Sequence, residues 1–172
     1  AEQMRLFRAS GLTHIEFGTE SFCDRTLEAY GKHFTFGDVE RASRLALDEG
    51  VYYAHFLILG GYGDTRENVR ETIENSRRME YTVMFPYAGM RIYPHTRLAE
   101  LAAKEGAIGR DDDLMAPSYY ISRDFDLEEV RRAALATGKA WVFPDDPQSA
   151  LADTLRLKRN KKGPLWEYLR KP

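Results

Sequence analysis

His14-Ile15-Glu16-Phe17-Gly18-Thr19-Glu20-Ser21, then Tyr52 to Leu59 running into Gly60-Gly61-Tyr62-Gly63-Asp64-Thr65, then Gly89-Met90-Arg91-Ile92-Tyr93-Pro94, are the stretches that decide the fold class. Each is a short apolar segment that ends in a polar turn and continues into amphipathic helical sequence. Strands alternating with helices build a parallel sheet, and such sheets bind ligands at the carboxyl ends of their strands. All three polar clusters lie at those ends, which predicts one shared site along one rim.

Working outward, residues 1–10 read as the end of a helix stopped by Gly11. The first strand is expected over about 13–18, a helix over about 24–30 and another over about 36–48. Thr35 and Asp38 have capping-box spacing at the start of that helix, and Val39, Ala42, Leu45 and Ala46 form its apolar stripe. The second strand, about 51–59, is nearly continuous in apolar residues, the pattern of a strand covered on both faces. Asp64 with Glu67 is expected to cap the next helix, a third strand to lie within 81–93, and Thr96 to cap a helix bearing Leu98, Leu101 and Ala102. Beyond Gly106 the rhythm changes: Tyr119 to Ser122 offers a short extra strand, Asp126 with Glu129 caps a further helix, and a last helix is expected from Ser149. We divide the chain into barrel units over 1–106 and a helical extension over 107–172 that covers the core.

Composition narrows the function classes. With 25 basic against 27 acidic residues, the chain carries no field that would hold nucleic acid or an acidic membrane surface. The basic run Lys158 to Lys162 has no interleaved aromatics and reads as a solvated helix end. No apolar run approaches the roughly 20 residues of a membrane helix, and no signal peptide is visible. The single cysteine, Cys23, forms no internal disulfide and cannot by itself hold a metal cluster, which suits a cytoplasmic protein. The chain opens in helix-like sequence without an initiator Met, which we read as a piece of a longer protein.

At the strand ends, the Gly60-Gly61 turn could bring free amides to an anion, or could be a tight turn that needs positive φ. Glu20, between Thr19 and Ser21, suits a ribose or sugar diol, since a carboxylate accepts paired bonds from vicinal hydroxyls. The alternative is that Ser21 or Asp24 caps a helix and Glu20 is solvated. Arg91 and Tyr93 alternate with Met90 and Ile92; if the latter two face the helices, Arg91 faces inward and needs an anion or an acid such as Glu16 or Glu20. His14, His33, His55 and His95 lack metal-ligand spacing, and His55 reads as a core histidine. Cys23 reads as structural.

Taken together, these segments resemble the second half of a radical S-adenosylmethionine enzyme. Gly18-Thr19-Glu20-Ser21-Phe22 is similar to that family's fourth-strand segment, and Lys32 with Thr35 through Ala42 to the stretch that follows it. Leu57 to Thr65 is similar to the fifth-strand "Gly-Leu-Pro-Gly-Glu-Thr", and Arg91-Ile92-Tyr93-Pro94-His95-Thr96-Arg97-Leu98 to the sixth-strand "Tyr-Pro-Gly-Thr-x-Leu". Tyr62 and Phe56 depart from the family's usual residues. Lys162 to Glu167 further resembles the C-termini of the subgroup carrying an N-terminal cobalamin-binding domain.

The resemblance implies an α/β fold, half of a TIM-like barrel of about three βα units. It implies an iron-sulfur oxidoreductase whose 4Fe-4S cluster reductively cleaves S-adenosylmethionine, with cobalamin as a further cofactor in the subgroup that Lys162 to Glu167 resembles. By it, Glu20, Ser21, Gly60, Gly61, Arg91 and Tyr93 would contact S-adenosylmethionine. The cysteines that bind the cluster would lie in the missing N-terminal half of the same protein, so this chain alone is expected to be inactive. Its small-molecule substrate is not legible. An open barrel edge also predicts self-association. Two other readings stand beside this one: a phosphate-binding (βα) barrel fragment, and a non-catalytic interaction module in which Glu20 and Arg91 merely pair.

Overall fold

The computed structural model describes residues 2–109, 111–143 and 164–172. Its centre is a four-stranded parallel sheet in the order β1-β2-β3-β6, formed by β1 (His14–Glu20), β2 (Tyr52–Leu59), β3 (Thr82–Ala88) and β6 (Ala140–Trp141). Helices fill the crossovers: α2 (Asp24–Ala29) and α3 (Phe36–Asp48) between β1 and β2, and α4 (Arg66–Asn75) between β2 and β3. An N-terminal helix, α1 (Glu2–Ala9), precedes β1, and α6 (Leu127–Ala136) precedes β6.

Alternation along β2 explains the two faces. Tyr53, Leu57 and Leu59 pack with Phe36, Val39, Val69, Ile73 and Val130 from the helices. Ala54, with Tyr52 and Phe56 beside it, faces the opposite way and joins Val83, Phe85, Ala140 and Val142. We call this second side the inner face. Over its N-terminal end lies a 3₁₀ turn, Leu165–Leu169, which buries Trp166 among those residues. The Trp166 indole donates to Glu16 Oε1 at 2.9 Å, and His14 Nε2 meets Glu167 Oε2 at 2.6 Å.

Thr35 and Asp38 form the expected capping box on α3, Thr96 caps α5 (Arg97–Glu105) and Asp126 caps α6. Three expectations need correction. Thr65, not Asp64, caps α4, because Asp64 is drawn back into the preceding turn. Glu129 does not reach back to the helix start; its carboxylate binds Arg66 and Arg70 across from α4. The third strand is not one piece. Gly89, at φ 74°, donates its amide to the Leu59 carbonyl and turns the chain out of the sheet. Residues beyond it form β4 (Met90–Ile92), paired antiparallel with β5 (Ser118–Tyr120) as a separate ribbon.

The extension also contributes to the sheet: Ala140 and Trp141 pair with Val83 and Met84. The expected helix from Ser149 and the basic run Lys158 to Lys162 lie outside the described residues. No helix among the described residues is long and apolar enough to cross a membrane.

Candidate functional site

Glu20 ends β1 in a backbone conformation that a non-glycine residue rarely adopts, φ 69°. The register with β2 shifts between Gly18 and Glu20, so the strand bulges there and Thr19 drops out of the ladder. Holding an L-residue in this left-handed region costs about 1–2 kcal/mol, and such strain concentrates at functional positions. The Glu20 carboxylate is 23% exposed and receives the Lys32 ammonium at 3.2 Å, itself 30% exposed. A half-buried carboxylate of this kind, with one oxygen bonded to an ammonium and its other acceptor sites open to a ligand, can take a diol.

Ser21 goes elsewhere. It is 1% exposed, shares a 2.8 Å hydrogen bond with Thr72 and accepts from the Cys23 amide at 3.1 Å. Its role is to tie the end of β1 to α4 and to the start of α2, and Asp24 accepts from the Phe36 amide at 2.6 Å instead of capping its own helix.

The glycine turn after β2 is closed from within. The Gly60 amide donates to Asp64 Oδ2 at 2.8 Å and the Gly61 amide to the Tyr30 hydroxyl at 3.1 Å. Asp64 Oδ1 accepts from Thr26 at 2.7 Å. Burial pushes the Asp64 carboxyl up, while the Gly60 and Thr26 bonds pull it back. Burial, then the Asp64 charge, drive the Tyr30 phenol above its usual range. With both amides already used and a carboxylate in the turn, this is a poor cradle for a phosphate. The glycines are required for a different reason. A Cβ on Gly60 would run into the Phe125 ring, and one on Gly61 would run into the Tyr30 hydroxyl. These contacts bring the loops after β1, β2 and β5 (Ser122 donates to the Gly60 carbonyl at 2.8 Å) together at one rim.

Arg91 and Tyr93 do not face the inner side of the sheet. They sit on the exposed face of the β4-β5 ribbon, where the guanidinium lies 4.9 Å from the Tyr93 ring centroid and Arg91 is opposite Tyr119. Ile92 points the other way, into a small cluster with Ala102, Leu114 and Tyr120. The proposed acid partners are taken: Glu16 accepts from Trp166 and Glu20 from Lys32. The ribbon thus projects from the strand ends, rooted at Gly89 and Ser122 beside Gly60.

Sequence reasoning matched Lys32 to the family's stretch but did not pair it with Glu20, since it lies three residues before Thr35 and gives no periodic signal. Two further features were not picked out. The rings of Phe85, Phe56 and Tyr87 stack on the inner face, with centroids 5.0 and 6.1 Å apart and planes within 22°. Period-2 spacing of Phe85 and Tyr87 could have revealed that ladder. Thr19 and Ser43 flank the buried His55, a pairing visible only in three dimensions. The strand ends form an open shelf. A cleft of about 300 Å3 lies away from them, between α3 and the 3₁₀ turn Ser76–Arg78, where Arg44 and Arg78 are already paired with Glu80 and Glu40.

No family profile matches the chain. Over 72 residues it is 33% identical to the anaerobic magnesium-protoporphyrin IX monomethyl ester cyclase of Rubrivivax gelatinosus, covering 42% of this chain and 13% of that protein. The chain therefore spans about an eighth of that curated relative. The radical S-adenosylmethionine methyltransferase TsrM of Kitasatospora setae, solved with cobalamin and a [4Fe-4S] cluster, matches 59% of this chain and 20% of its own at 26% identity and a TM-score of 0.52. The same enzyme, solved with tryptophan and a SAM analog, superposes on 98% of this chain and 42% of its own with a TM-score of 0.75 at 17% identity, a likeness of fold. With the parallel sheet, its helix layer and the ordered strand-end motifs, these similarities place the chain in the radical S-adenosylmethionine superfamily, as part of its (βα) barrel.

Proposed function

We propose that this chain forms the C-terminal half of a radical S-adenosylmethionine barrel and holds the nucleoside portion of S-adenosylmethionine at the rim built by β1, β2 and β3. Glu20 carries the reading. Its carboxylate stands half-exposed on a bulge, in a strained left-handed conformation, with Lys32 fixing one oxygen. Two hydroxyls on adjacent carbons can donate together to such a group. Gly18, whose inner side lies open apart from the Glu20 carboxylate, leaves room for the sugar, and the Phe56-Tyr87 shelf supplies flat apolar surface beside it. The buried turn residues Gly60, Gly61 and Asp64, with the Tyr30 hydroxyl from the end of α2, keep the rim in shape.

The residues of this chain do not fit a 4Fe-4S cluster. Cys23 is fully buried, and no group of His, Cys, Asp or Glu among the described residues could hold a metal. In this reading the cluster's thiolates belong to another segment, the N-terminal half of the parent enzyme, which would also bind cobalamin, as the TsrM neighbour does. The chain alone is then catalytically silent. Cluster and S-adenosylmethionine together supply the radical chemistry, and this chain binds and orients the nucleoside.

Equilibrium binding of S-adenosylmethionine to the parent enzyme, with Glu20→Gln, tests the proposal. Loss of a charge-assisted bond to each of two hydroxyls predicts affinity lower by roughly ten- to a hundredfold. Unchanged affinity, with or without lost stability, overturns it.

A further inference from the structure

We infer that His55 is a positioning residue for Glu20: it clamps Thr19, and the clamp sets the bulge that delivers the Glu20 carboxylate to the rim. The inference deepens the reading of Glu20 as the acceptor of a diol and rests on it.

Hydrogen-bond accounting fixes the direction of the clamp. Ser43 donates its one hydroxyl proton to the Val39 carbonyl, 2.8 Å away within α3. Toward His55 Nε2, at 3.2 Å, Ser43 must therefore accept. Nε2 then carries the ring proton, which leaves Nδ1 as an acceptor, and Thr19 Oγ1 donates to it at 2.7 Å. One continuous line runs from the end of β1, through a ring on β2, to a carbonyl of α3.

The surroundings hold the ring in this state. His55 is fully buried, stacked on Phe17 at 5.4 Å and edge-on to Phe22 at 5.2 Å and Tyr53 at 5.5 Å. Burial alone lowers its pKa to about 3, so the ring is neutral and needs one donor and one acceptor partner. It has both, and no third position is free.

Thr19 is the residue that leaves the β1-β2 ladder. Its side chain is held on the helix side by His55, while the next residue turns to φ 69°. Without that tether a regular strand would extend through residue 20 and move the carboxylate off Lys32. A merely space-filling histidine would not need Thr19 at all, so the two roles differ in what the hydroxyl does.

Three measurements on the ligand-free chain separate them. In Thr19→Val the volume is kept and the hydroxyl lost; in Thr19→Ser the hydroxyl is kept. The Glu20 side-chain carboxyl 13C shift and its contact with Lys32 are read by NMR beside the melting temperature. The expected result is a Glu20-Lys32 contact reduced roughly tenfold in Thr19→Val and retained in Thr19→Ser, whatever their relative stabilities. Equal behaviour of the two variants, or a Glu20 signal unmoved in Thr19→Val, overturns the inference. Should Thr19→Val not fold, imidazole 15N shifts of the unmodified chain decide: a neutral Nε2–H ring is expected, and an Nδ1–H or charged ring overturns it. None of these signals involves S-adenosylmethionine, so failure of the diol reading in Glu20→Gln remains separately visible.

Discussion

Replacing Gly89 with alanine tests the bend that splits the third strand. Two costs add at this position. Gly89 sits at φ 74°, so any L-residue there bears about 1–2 kcal/mol of left-handed strain. A Cβ would also lie 2.6 Å from the Tyr120 carbonyl oxygen and 2.7 Å from Ile121 Cγ1. The first obstacle is backbone of the β5 end and cannot rotate away, so the ribbon must shift, at about 1–3 kcal/mol for overpacking. The sum is about 2–5 kcal/mol. Gly50 is the control: it has φ 67° and nothing within 4 Å of the added atom, so Gly50→Ala carries the strain alone. For a chain of this size each kcal/mol lowers Tm by about 2–4 °C. Gly89→Ala should therefore melt roughly 2–12 °C below Gly50→Ala, the difference being the about 1–3 kcal/mol of overpacking. Thermal unfolding followed by circular dichroism measures both. Equal losses in the two variants would show that the ribbon does not press on Gly89 and would refute the reasoning.

Other consequences are as direct. His55 is neutral in the folded chain with its pKa pushed down to about 3, against about 6.5 when unfolded, so its contribution is complete above pH 6.5 and lost as pH falls toward 3. The slope is about 1.4 kcal/mol per pH unit in that window, and the difference between urea-unfolding profiles of the parent chain and His55→Gln isolates it from Asp64, whose raised carboxyl acts in the opposite direction. An unchanged profile in His55→Gln would contradict the burial. Trp166→Phe keeps a ring but removes the donor to Glu16, for a loss of about 1–3 kcal/mol; Trp166→Ala should lose about 3–5 kcal/mol. If Trp166→Phe is as stable as the parent chain, the hydrogen bond contributes nothing; if the two variants are equally stable, the ring's packing contributes nothing. We further expect the unpaired outer edge of β1 to drive concentration-dependent self-association of the isolated chain; a single monomeric species in sedimentation velocity at all concentrations would argue against it.

How far the sequence could be read followed the range of the forces involved. The capping box of Thr35 and Asp38, the strip on α3 and the buried run of β2 all depend on residues within a few positions of one another, and they form as expected. Glu20 was legible as a strand-end carboxylate, but its bulge depends on a histidine 35 residues later. The Gly60-Gly61 turn was placed correctly, and of its two readings the geometry matches the tight turn, with Gly60 at φ 73°. Asp64 and Tyr30 satisfy its amides, and Tyr30 arrives from the end of α2. Arg91 was misplaced because alternation was carried through Gly89 as if the strand were continuous. β6 escaped notice because two residues, Ala140 and Trp141, hold no period to detect.

The Trp166 turn has a bearing on traffic. By stoppering the N-terminal end of the inner face, it leaves that half of the barrel a blind alley. A molecule seated on the Phe56-Tyr87 rings would then be approached from the strand-end side, where the ribbon bearing Arg91, Tyr93 and Tyr119 stands.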